Sequence, residues 1–135
     1  MSTCVTICPI GSVDPGILEH IAECIWIRCG LTCRITMRME NPRYAYNDTR
    51  CQYNSKLILK HLLDRNFQDS FRLIGVTPVD LYVPILKYVF GLAQIQGKCS
   101  IISLHRLDPE FYDQPSDSDL LLARVEKTAL HELGH

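Results

Sequence analysis

No apolar stretch in this chain approaches the roughly 18 residues that suggest a membrane span. The opening Met1-Ser2-Thr3-Cys4 also lacks the charged segment and long apolar run of an export signal. No membrane partner is expected, and the chain reads as cytoplasmic. Charge is scarce and balanced, at 21% charged residues and a net −1, with Lys and Arg scattered rather than gathered in a basic stripe. Nucleic acid therefore finds no electrostatic footprint. Cysteine itself is not lacking, but the paired C-x-x-C knuckles of a structural zinc site are. The seven cysteines include the spacings Cys4-x3-Cys8 and Cys24-x4-Cys29-x3-Cys33, which do not match one. An odd number without an export signal argues equally against a disulfide framework. The cysteines read as small buried residues and free thiols.

What is present is apolar mass. At 135 residues and 47% hydrophobic content, the chain can bury one core and no second independent domain. A monomer is expected.

Strand and helix patterns alternate along it. Val5 to Ile10 is a short β-rich run, and a helix follows from about Pro15 to Gly30, with Ile17, Ile21, Cys24 and Ile25 on one stripe and Gly30 as its stop. Arg34 to Met39 alternates like a half-exposed outer strand. Asn41 to Asn47 is a polar, tyrosine-rich loop. A second helix is expected from about Asn54 to Asn66, with Leu57, Ile58, His61 and Leu62 buried. Phe71 to Val76 is apolar enough for a strand buried on both faces. Val89 to Gln96 and Cys99 to Leu104 are separated only by Gly97-Lys98, a gap that forces an antiparallel hairpin. The sum is an α/β fold: a mixed, mostly parallel sheet with one antiparallel strand at its rim.

A third helix follows Pro115 and Ser116, with Ser116 as the cap candidate and Asp117 and Asp119 near the positive helix end. It ends in His131-Glu132-Leu133-Gly134-His135, an H-E-x-x-H motif. With five histidines and six glutamates in the chain, roughly 0.008 such matches are expected by accident. On a helix the two histidines lie roughly 6 Å apart along the axis and on one face, so both can reach one Zn²⁺. At about 100° per residue from His131, the apolar Leu122, Val125, Ala129 and Leu133 fall near 120° to 200°, opposite the metal face. Glu132, near 100° on the same count, is expected at the border and free of apolar burial. A carboxylate in that position serves as general base for a metal-activated water. A catalytic zinc takes a third protein ligand, and His20, His61 and His105 are the other histidines, none placed by a readable spacing. An antiparallel edge strand beside such a helix suits peptide hydrolysis, since an extended substrate can add to it by main-chain hydrogen bonds.

At this point the chain resembles the archaemetzincins, a branch of the metzincin zinc peptidases. The resemblance rests on Pro9-Ile10-Gly11-Ser12-Val13, Ala45-Tyr46-Asn47 with Arg50 and Gln52-Tyr53, Val76 to Pro84, Phe90-Gly91, Ile102-Ser103, Arg106-Leu107, Phe111-Tyr112 and His131 to His135. It implies a zinc metallopeptidase acting on a peptide or protein, with His131 and His135 as zinc ligands and Glu132 as general acid/base. It further implies a third histidine ligand, a methionine turn and four cysteines holding a second, structural Zn²⁺, all beyond residue 135. On that expectation residues 1–135 are a single catalytic domain cut short at its C-terminal end, and none of the seven cysteines is a structural zinc ligand. Two alternatives stay open: a zinc hydrolase of another lineage whose third ligand is a distant glutamate, and a catalytically silent zinc- or peptide-binding homologue or inactive fragment. Retention of Glu132 weighs against the silent form, which has no use for a base between two ligands.

Overall fold

The structure, a computed structural model, describes residues 4–65, 71–94 and 97–134. In chain order its elements are β1 Val5–Pro9, α1 Pro15–Cys29, β2 Cys33–Ile35, β3 Tyr46–Asn47, β4 Gln52–Asn54, α2 Ser55–Leu63, β5 Arg72–Thr77, β6 Leu81–Tyr82, β7 Gly91–Ala93, β8 Cys99–Ser103 and α3 Ser118–Leu133, with 3₁₀ turns at Arg43–Ala45 and Pro109–Tyr112. The main sheet has the order β2-β1-β5-β8-β7. All its pairs are parallel except β7 with β8, where Gly91 faces Ile102 and Ala93 faces Ser100. This is the expected mostly parallel sheet with one antiparallel rim strand.

Alternation along the central strands divides the core in two. Val5, Ile7, Ile74, Val76 and Ile102 face α1 and α3, meeting Leu18, Ile21, Ile25, Val125 and Ala129. Cys8, Leu73 and Ile101 face the other way, against Ile58, Leu59 and Leu62 of α2. Burial on both faces explains why β5 and β8 read as continuous apolar runs. Gly75 is the exception in β5 because a Cβ there would stand 2.8 Å from Leu62 Cδ1.

The helix ends follow their caps. Asp14 accepts from Gly16 N–H at 2.9 Å, Pro15 starts α1, and Gly30, at φ 67°, closes it by donating to Trp26 O at 2.9 Å. That left-handed conformation costs glycine nothing, so the stop is where the sequence puts it. For α3 the cap is Asp117 rather than Ser116: its carboxylate accepts from Leu120 N–H at 3.0 Å. Both residue types cap well, and the third-position N–H falls within reach of the later one.

Two further expectations need correction, and one feature was missed. The stripe of α2 is turned: Ser55, Ile58, Leu59 and Leu62 are buried, whereas Leu57 and His61 are exposed. Ser55 is drawn in because its hydroxyl donates to Tyr82 O at 2.9 Å, which sets the rotation of the helix. His61 stacks on Tyr44 instead, centroids 4.7 Å apart. The outer strand is interrupted, since β2 ends at Ile35 and pairing resumes only at Met39, whose N–H donates to Pro9 O at 2.8 Å. Met37, in the gap, is 90% exposed. A second sheet, β3-β4-β6, was not legible, because strands of two or three residues are too short to show alternation. The expected helix end at Asn66 and strand end at Gln96 lie outside the described residues, and so does His135.

All seven cysteines are free thiols, with Cys8, Cys24 and Cys99 buried. Among the described residues no helix is long and apolar enough to cross a membrane.

Candidate active site

The C-terminal half of α3 forms the floor of a cleft of about 670 Å³. Thr128, His131 and Glu132 line it from the helix, Val89, Phe90 and Gly91 from the rim strand and the segment before it, and Arg106, Leu107 and Tyr112 from the wall. His131 is exposed on this floor. Its position follows from the helix period: Val125 and Ala129 are buried against the sheet, which turns residue 131 outward.

Glu132 departs from the expectation of an unburied border residue. It is 9% exposed, tucked beneath the rim strand. The reason is Gly91. A Cβ at that position would lie 3.0 Å from Glu132 Cγ, 3.2 Å from Glu132 Cδ and 2.7 Å from Ile101 O. The missing side chain lets the strand backbone cross directly over the carboxylate stem. Strand main chain and carboxylate are thereby brought side by side, with the imidazole of His131 on the same cleft. At Gly134 an added Cβ would meet nothing nearer than Leu130 O at 3.5 Å, an ordinary contact with a helix carbonyl.

The other histidines are placed elsewhere. His20 is on α1 at the α1–α3 seam, His61 stacks on Tyr44, and His105 packs edge-on against Phe111 with centroids 5.1 Å apart. None lines the cleft. Among the described residues the cleft offers His131 and Glu132 as its only His, Cys, Asp or Glu side chains.

Sequence reasoning missed what holds the cleft's upper wall. Asp80 accepts two hydrogen bonds from Arg106, at 2.8 and 3.0 Å, and a third from Gln52 Nε2 at 3.0 Å. Burial alone raises the pKa of this carboxyl, but those bonds and the guanidinium charge outweigh it and hold Asp80 below the usual carboxylate range. Arg106 is further fixed between rings, 4.0 Å from the Tyr88 centroid and 4.8 Å from that of Phe111. Gln52 also donates to Lys87 O at 2.8 Å, and Arg50 donates to Leu86 O while stacking 4.0 Å over Tyr82. Val89 N–H donates to Leu81 O at 3.0 Å. The segment leading into β7 is thus tied to the small sheet and its turn at three points, which fixes the height of Gly91 over α3. No local spacing announces a pair as far apart in the chain as Asp80 and Arg106.

The mostly parallel sheet with its antiparallel rim strand lies over a helix that presents an exposed imidazole and a buried carboxylate, and the chain belongs to peptidase family M54, whose family model matches residues 19–135. Within that family its relatives are archaemetzincins. It is 43% identical over 127 residues to the archaemetzincin of Methanocaldococcus jannaschii, a match covering 94% of this chain and 68% of that protein. The crystal structure of archaemetzincin from Archaeoglobus fulgidus superposes with a TM-score of 0.81 at 30% identity, over 98% of this chain and 76% of the other. A zinc-dependent peptidase from Methanocorpusculum labreanum gives 0.84 at 25% identity, over 97% and 79%.

Proposed function

We propose that this chain hydrolyses peptide bonds in the cleft between β7 and α3, with zinc held by His131 and His135 and the proton moved by Glu132. The observation that carries the proposal is the shelter of Glu132 beneath Gly91, with His131 exposed on the same floor. Imidazole nitrogens suit zinc, and the likeness to a structure described as a zinc-dependent peptidase supports that cation. A catalytic zinc takes three protein ligands. Because His20, His61 and His105 lie away from the cleft, the third ligand, like His135, belongs outside the described residues. When bound, zinc supplies Lewis acidity, which makes water a nucleophile near neutral pH and polarises a carbonyl.

The chain's own residues do the rest. Strand β7 is paired on one side only in the main sheet, so an extended peptide can align along it through main-chain hydrogen bonds. Phe90 and Tyr112 give the cleft apolar walls. Glu132 accepts the proton of the attacking water as the C–O bond forms and delivers it to the amine as the C–N bond breaks. Partial burial keeps its carboxylate in one place and limits competing water. Asp80 and Arg106 act as positioning residues, since they hold the segment that sets the height of β7.

The test is Glu132→Gln in the zinc-loaded protein. The amide keeps the volume beneath Gly91 and cannot take a proton. Peptide cleavage should fall by at least the roughly 10²–10⁴-fold that a positioned base contributes, with zinc content unchanged. Cleavage at the wild-type rate would remove Glu132 from the mechanism.

A further inference from the structure

A second group of metal-ligating side chains lies on the other side of α3. His20 and Cys24 stand one turn apart on α1, and Glu126 of α3 meets them across the seam. Nε2 of His20 is 3.4 Å from Sγ of Cys24, and one ligating atom from each of the three residues lies within 4.8 Å of the other two. In a tetrahedral zinc centre, with Zn–S about 2.3 Å and Zn–N about 2.0–2.1 Å, adjacent donors stand about 3.5 Å apart. The histidine and cysteine are already at that spacing, and a carboxylate oxygen of Glu126 stands within 4.8 Å of both.

The surroundings allow a cation to enter and stay. A cleft of about 550 Å³ opens at the seam, bordered by the three residues together with Glu23, Ile27 and Arg28. It leaves room for water in a fourth position. Cys24 is buried while His20 and Glu126 are half-buried, so the sulfur is at the back and the harder donors are at the mouth. Arg28 Nε lies 3.4 Å from Glu126 Oε1, but its side chain is 64% exposed. An ion pair with so exposed an arginine contributes little and yields to a divalent cation. Burial and the neighbouring Glu126 push the Cys24 thiol up to about 11, so the metal-free site is a thiol.

We propose that His20, Cys24 and Glu126 form a zinc-class divalent-cation site, separate from the cleft, that clasps α1 to α3. The mixed sulfur, nitrogen and oxygen donor set favours a borderline-soft ion such as Zn²⁺ over Mg²⁺ or Ca²⁺. On binding, the Cys24 S–H bond breaks, the thiolate joins the metal and one proton goes to solvent. The site is independent of the H-E-x-x-H motif: none of its residues lines the cleft, and Glu126 lies about 140° round α3 from His131 at about 100° per residue.

Cobalt titration of the full, metal-stripped protein reads this site directly, because only a thiolate ligand gives the near-ultraviolet sulfur-to-cobalt band. The wild type should develop a band component that Cys24→Ser removes and that Cys29→Ser, an exposed thiol at the end of the same helix, leaves in place. His131→Ala should also leave that component intact, which separates the result from any outcome at the cleft. Glu126→Gln and His20→Gln should weaken cobalt binding at this component by more than the about 10–100-fold that loss of an outer partner costs. A band unchanged in Cys24→Ser overturns the proposal. So does wild-type affinity in Glu126→Gln and His20→Gln, which decide the matter alone if the serine variant fails to fold.

Discussion

Replacing Gly91 by alanine puts a methyl group where the structure has no room. The new Cβ would stand 2.7 Å from Ile101 O and 3.0 Å from Glu132 Cγ. Carbon to carbonyl-oxygen contacts between strands settle at about 3.3–3.6 Å, so a gap of at least about 0.6 Å must open. Ile101 cannot supply it, because β8 is locked between β5 and β7 and its side chain is fully buried. Strand β7 must therefore lift, or Glu132 must leave its place. Overpacking of this kind costs about 1–3 kcal/mol, and a misplacement of about 1 Å at a reacting group costs about 10²-fold in rate. Urea unfolding of Gly91→Ala should show the lost stability, and peptide cleavage by the zinc-loaded variant should fall at least tenfold. An alanine variant that unfolds within about 0.5 kcal/mol of the wild type and cleaves at its rate would refute the argument that Gly91 sets the height of the strand over Glu132.

Asp80→Asn should cost about 1.5–3 kcal/mol at neutral pH, the worth of hydrogen bonds to a charged partner. Because the folded pKa of Asp80 is lowered, the unfolded chain binds the proton more readily. The stabilisation is full above the unfolded value of about 3.9 and is lost as pH falls through the lower folded value. The difference between wild type and Asp80→Asn in urea should therefore shrink on acidification, and a difference independent of pH would count against the assignment. Asp117→Ala should cost about 0.5–2 kcal/mol as a lost cap while Ser116→Ala is near neutral; the reverse order in thermal unfolding would return the cap to Ser116. Gly134→Ala, at φ −74° with only ordinary contacts, should change stability by no more than about 0.5 kcal/mol.

Long-period features were legible in the sequence, and rotations and long-range ties were not. The two-residue gap at Gly97-Lys98 dictates an antiparallel neighbour whatever the rest of the fold does, and β7 lies antiparallel to β8. The apolar run of β5 and the Gly30 stop of α1 were equally readable because each reports a local physical requirement. Helix α2 was misjudged because its apolar residues cover more than one stripe, and the rotation is decided by a serine bound to Tyr82 O in another element. At the site, the spacing of His131 and Glu132 pointed to α3, whose C-terminal half lines the cleft. It could not show that Glu132 is sheltered, since that depends on a glycine in a strand whose path is fixed by Asp80, Arg106, Arg50 and Gln52. Cys24 reads as core from its stripe, and it is buried; only the packing of α3 on α1 reveals the carboxylate beside it.

Zinc bound per chain in His131→Ala, measured by elemental analysis beside the wild type and alongside peptide cleavage, tests the central claim most directly. The account predicts that the variant loses one zinc equivalent and all cleavage while keeping its fold by circular dichroism. A folded His131→Ala protein that retains the full zinc complement and cleaves peptides would place the reacting centre somewhere other than the cleft between β7 and α3.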